Sequence, residues 1–159
     1  MKRVTLETDY SYDYPISELE EYLKGLDGII KVSINSEDFE PIFDITYDET
    51  KLTYKIIIHE ICAFCNMPYE GSIWSWDTHP GKEAKSYELN LDGLNCIFCY
   101  CHIVDELFNI PGILSFIKTK GNFWKNDSNQ VRIKLLYDDN KISKEELEKL
   151  CNKIKEDHC

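Results

Sequence analysis

Residues 93–101 read GLNCIFCYC, which places Cys96, Cys99 and Cys101 within six positions; a second pair, Cys62 and Cys65, has the same two-residue spacing. Thiolates are soft ligands. Two of them so spaced can converge on one Cu(I) ion, or supply half of the tetrahedral sulfur set that Zn(II) or Cd(II) takes. The pattern admits two other chemistries. Cys62-x2-Cys65-x30-Cys96-x2-Cys99 can close a structural zinc from two pairs, and a CxxC at a helix start can lower a thiol pKa for redox exchange. The chain has seven cysteines, an odd number, which argues against a disulfide framework and for free thiols in a reducing compartment.

Composition narrows the classes of function. With 159 residues, 43% apolar and 13% aromatic, the chain can build one ordinary core or two small ones. Its formal charge of −11 repels nucleic acid, and no Lys/Arg stripe is present to track phosphates, so a basic protein partner fits better. The sequence contains no nucleophile-base triad and no phosphate-binding glycine loop, and the four histidines are dispersed, so no enzymatic activity is expected. MKRVTLETDYSYD lacks the apolar core of a leader, and IIIHEICAF is interrupted by His59 and Glu60. A cytoplasmic location without membrane insertion is therefore expected.

The elements that must position the thiols occur twice. L-x-x-x-L-x-x-L-x-G-I at Leu19, Leu23, Leu26, Gly28 and Ile29 recurs 84 residues later as Ile103, Leu107, Ile110, Gly112 and Ile113. Each copy predicts an amphipathic helix closed by a glycine C-cap. Tyr47-Asp48 matches Tyr137-Asp138 at an offset of 90, so six extra residues fall in the second copy, placed in the GNFWKNDSN turn. A second helix follows each Tyr-Asp pair. SKEELEKLCNKI has a capping box from Ser143 to Glu146, while TYKIIIHEICAF suits a helix or, through Ile56, Ile57 and Ile58, a strand. With RVTLE and SYELNLD as leading strands, the order is β-α-β-β-α, twice. This predicts an α+β chain of two tandem ferredoxin-like domains, with helices on one face of antiparallel sheets. The boundaries are residues 1–78, a linker at 79–85 and residues 86–159, with GSIWSW as a closing strand of the first copy.

From Gly93 to Ile113 the spacing G-L-x-C-x-x-C, apolar at four, leucine at eight and Pro-Gly-Ile at twelve to fourteen resembles the heavy-metal-associated domain of copper chaperones and of the amino-terminal tails of copper- and zinc/cadmium-transporting P-type ATPases. The resemblance covers about residues 86 to 155. It implies soft-metal binding by Cys96 and Cys99, with Leu94 in the place usually held by methionine and buried beneath the loop. It also implies handover of the ion to a metal-transporting ATPase or another metal-receiving protein. Cys96 would precede the helix and Cys99 would sit in its first turn, where free N–H groups favour thiolate. Asn95 stands where copper-type sites often have Thr and zinc/cadmium-type sites Asp, which leaves the metal open.

The first copy departs from this pattern. At the offset of 84 its loop, DYSYDYP, holds Tyr12 and Pro15 in place of the two thiols, so it is expected to scaffold or dock rather than bind soft metal. Cys101, Cys62 and Cys65 are further candidate ligands, although Cys101 points roughly 200° from Cys99 on a regular helix. His158 and Cys159 are either a frayed tail or a substitute for the family's final loop. Cys101, Val104 and Phe108 form a second apolar stripe, expected to turn outward and to dock on the other copy, on the Trp74/Trp76 segment or on a second chain.

Overall fold

The computed structural model describes residues 1–8, 16–35, 41–65, 73–94, 97–120 and 130–158, which form four helices and seven strands in an α+β chain. They divide into two units, Met1–His79 and Pro80–Cys159. Among the described residues no helix is long and apolar enough to cross a membrane.

In the first unit β1 (Lys2–Thr8), α1 (Ile16–Lys24), β2 (Ile29–Asn35), β3 (Ile42–Tyr47), α2 (Tyr54–Phe64) and β4 (Ile73–Asp77) follow in order. The strands lie β2-β3-β1-β4, antiparallel throughout. Alternation in β1 and β3 buries Val4, Leu6, Phe43, Ile45 and Tyr47 on one face, where α1 contributes Leu19 and Leu23. The ambiguous TYKIIIHEICAF segment is helical. Thr53, extended at φ −112, ψ 158, accepts the Ile56 N–H at 3.3 Å as N-cap. Helical spacing then lets Ile57, Ile58, Ile61 and Cys62 share the buried side and leaves Ile56 outside, whereas a strand would expose alternate isoleucines. GSIWSW does supply a strand: β4 pairs with β1, and Trp76 is fully buried and stacked on Tyr54 at 5.6 Å.

The second unit repeats this plan with β5 (Lys85–Asp92), α3 (Ile97–Phe108), β6 (Ile113–Lys120), β7 (Gln130–Tyr137) and α4 (Lys144–His158). Its strands lie β6-β7-β5. Lys85 opposes Tyr137 as Lys2 opposes Tyr47, so the leading strands correspond at an offset of 83 (85 − 2), whereas the glycines correspond at 84 (112 − 28). One extra residue therefore lies between the start of β5 and Gly112, although the connection from leading strand to first helix is residues 93–96 here against 9–15 in the first unit. The GNFWKNDSN segment falls outside the described residues.

The glycines are not helix caps. α1 and α3 end at Lys24 and Phe108, and Gly28 and Gly112 stand four residues later at the entry to β2 and β6. The intervening residues form two tight turns in each copy. Leu26 N–H donates to Leu23 O and Ile29 N–H to Leu26 O, as Ile110 does to Leu107 and Ile113 to Ile110. Both glycines have positive φ, +104 and +98. A Cβ on Gly28 would lie 2.9 Å from Lys51 Cβ, and one on Gly112 would lie 2.9 Å from Ile142 Cγ2. That close approach is used. The Asp48 and Asp138 N–H groups donate to Gly28 O and Gly112 O, each at 2.8 Å, and each Asp carbonyl accepts from the residues three and four later. The Asp48 carboxylate accepts the Thr50 N–H and hydroxyl, and the Asp138 carboxylate accepts the Asn140 N–H.

Two outcomes follow for this clasp. Gly112→Ala and Gly28→Ala should each lower stability by about 1–3 kcal/mol, from the left-handed backbone before any clash is counted; urea unfolding of the full chain measures it. Hydrogen bonds from the Thr50 side chain and backbone hold the Asp48 carboxyl below its ordinary value. Asp48 therefore contributes stability that is fully present above that value and is lost as the pH falls through the lowered one. Asp48→Ala should weaken the neutral protein and make its stability less dependent on pH at the acid end, as followed by unfolding at successive pH values.

Candidate functional site

β5 delivers the chain to the cysteine loop. Gly93, at φ +87, turns it in open space, so backbone conformation rather than crowding selects glycine. The Leu94 N–H then donates to Leu91 O at 3.2 Å, and the Leu94 side chain is buried at 2% exposure. Asn95 and Cys96 lie outside the described residues. α3 begins at Ile97, so Cys99 is in its first turn, half-buried, and that turn carries no acidic side chain. The next residue, Tyr100, is fully buried and meets Phe116 of β6 edge-on, with centroids 6.2 Å apart. This aromatic anchor, absent from the motif-based reading, fixes the rotation of the turn that carries Cys99. Its sequence signal is the spacing Tyr100, Ile103, Leu107.

The second apolar stripe on this helix is covered within the chain. Cys101, Val104 and Phe108 are 7%, 0% and 6% exposed within the single chain, so they offer no surface to a second one. Among the described side chains of α3 and the turn after it, His102, Glu106 and Asn109 are exposed, and Cys99, Asp105 and Ile110 are half-buried. A helix with so narrow a polar strip buries nearly all the rest of its circumference. Of the inner stripe, Ile103 and Leu107 are fully buried, whereas Ile110 falls beyond the helix and is half-buried.

Cys62 and Cys65 occupy the end of α2. Cys62 is buried at 4% exposure, and Cys65 is the C-cap, its N–H donating to Ile61 O at 3.1 Å. Burial pushes the half-buried Cys65 thiol up to about 11. Cys151, on the inner side of α4 with Leu147 and Ile154, is likewise pushed up to about 11 by burial. Both are thiols at neutral pH. The loop holding Tyr12 and Pro15, the Trp74 and His158 side chains, and Cys159 are outside what is described. Among the described residues, no group of three or more His, Cys, Asp or Glu is arranged to hold a metal ion.

These environments order the thiols by accessibility. In the native, reduced and metal-free protein, Cys62, Cys101 and Cys151 should react with a chromogenic disulfide reagent only upon unfolding, and Cys99 should react without it. Mass mapping of the modified cysteines before and after denaturation checks this order. In comparisons with known proteins, the chain matches no family model and no curated protein sequence.

Proposed function

We propose that the chain binds a soft metal ion, Cu(I) or Zn(II)/Cd(II), through Cys96 and Cys99, and carries or buffers it without catalysing a reaction. In this reading it is a pair of ferredoxin-like units of the heavy-metal-associated kind, the first of which lacks the thiol loop. The observation that carries it is the place of Cys99 in the first turn of α3, three residues after Cys96 and directly after a β-strand and a glycine turn. There the dipole of a helix start favours a thiolate, and two thiolates at this spacing suit a soft ion. The β-α-β-β-α order of both units and the strand order β2-β3-β1-β4 of the first are those of a ferredoxin-like domain.

Ion transfer then proceeds through mixed states of two and three thiolates, with a metal-transporting ATPase or another thiol protein as receiver. Such exchange requires a reducing compartment, hence the cytoplasm. The alternative is a structural zinc held by Cys62, Cys65, Cys96 and Cys99, with Cys62 and Cys65 at the end of α2.

Titration under reducing conditions decides between them. The full chain should take up one Cu(I) or Zn(II); uptake should vanish in Cys96→Ser/Cys99→Ser and persist in Cys62→Ser/Cys65→Ser, and chelation should leave the fold intact. Unchanged uptake in the first variant defeats the proposal, and loss of uptake with unfolding in the second establishes the zinc alternative.

A further inference from the structure

The two units differ at one sheet position. β1 has neighbours on both sides, β3 and β4, whereas its counterpart β5 pairs with β7 alone among the described strands. β5 is also free of any register shift against β7. Its eight residues oppose β7 in unbroken register from Lys85–Tyr137 to Asp92–Gln130. β2, which likewise has a single neighbour, is interrupted by a register shift between Ile29 and Lys31 and carries Lys31 at that point. A bulge and a lysine are the usual protections of an edge against pairing, and β5 lacks the bulge and has a lysine only at its first residue.

The hydrogen bonding of β5 shows which residues face outward. The Asp92 N–H donates at 2.8 Å to the Asn90 side chain, away from β7. Backbone groups alternate sides along a strand, so Ser86, Glu88 and Asn90 also direct their N–H and C=O groups to the open edge. The remaining question is what sequence could lie against them.

We propose that the occupant is β5 of a second copy, joined antiparallel about a two-fold axis through Leu89. A continuous sheet with its helices on one face requires opposed residues to share a face, which restricts the axis to a residue centre. Of the three central registers, an axis at Glu88 sets that carboxylate against itself, and an axis at Asn90 sets Glu88 against Asp92. The axis at Leu89 opposes Glu88 with Asn90, Ser86 with Asp92, and Tyr87 with Leu91. It alone avoids paired carboxylates, and it aligns the apolar side of β5, where Leu89 and Leu91 are buried. This self-association is independent of metal.

The test is sedimentation of the full, reduced chain over about a hundredfold concentration range, with two exposed substitutions opposite Glu88. The weight-average mass should climb toward twice that of the chain. Asn90→Lys should tighten the dimer roughly three- to tenfold, and Asn90→Glu should loosen it by a similar factor, through the two symmetric cross-strand pairs. Glu88→Pro, which removes an outward N–H and no bond to β7, should yield a monomer with an unchanged thermal midpoint. A chain that stays monomeric throughout, or a dimer indifferent to the sign of the charge at position 90, overturns the proposal; the charge variants decide even if the proline variant does not fold.

Discussion

The arrangement depends on a carbonyl-to-amide bond made twice, from the Asp48 N–H to Gly28 O and from the Asp138 N–H to Gly112 O. Each joins the turn after a unit's first helix to the turn before its second. That bond is short only because the acceptor has no Cβ; a methyl at either glycine would meet the next turn at 2.9 Å. The same approach shifts the register where β2 leaves Gly28 and β6 leaves Gly112, between Ile29 and Lys31 and between Ile113 and Ser115. Helix axis, strand direction and the start of the following helix are thereby set together. Apolar burial, being non-directional, would not set these relations by itself.

For the thiol loop this has a direct consequence. α3 is fixed at its end by the turn through Ile110 to Gly112 and at its start by Tyr100 against Phe116, with Leu94 buried just before the loop. Cys99 therefore rides on a helix whose position and rotation are both determined, while the residues before it connect a fixed strand end to a fixed helix start. Under the proposed function, this geometry presents a ligand without requiring the ligand to hold the fold. Cys62 and Cys151 do the opposite. They are small apolar parts of buried helix faces, and a thiolate there would have to overcome desolvation.

Much of this was legible in the sequence because the repeat doubled each signal. The order of elements, the antiparallel pairing, the N-cap at Ser143 and the placement of Cys99 in a first helical turn follow from periodicity and capping chemistry. Three features were not legible. Gly28 and Gly112 look like helix caps because glycine serves caps and strained turns alike; only the four-residue displacement from Lys24 and Phe108 separates the two roles. The Tyr-Asp pairs were visible as a repeat, but not that Asp48 and Asp138 hold the clasp, since its partners lie 20 and 26 residues away (48 − 28 and 138 − 112). That Cys101, Val104 and Phe108 are covered within the chain was not legible either, because helical spacing gives directions around an axis and not the width of the surface that covers it. Tyr100 and Cys101 show how far that cover extends.

The two copies keep different parts of one design, and what each has kept separates scaffold from chemistry. The clasp, the strand register against Tyr47 and Tyr137, and the buried positions of β1 and β5 persist in both. The connection from leading strand to first helix differs in length, residues 9–15 against 93–96, and in its sulfur. A structural role for that sulfur would couple its loss to some compensating change in the surrounding core, and the first unit shows none: its Val4, Leu6, Leu19, Leu23, Phe43 and Ile45 are all fully buried. A fold that closes equally well with tyrosine and proline in the loop does not need thiols there to stand. Under the proposed function, the thiols of the second unit would then bind the ion without carrying the stability of the fold.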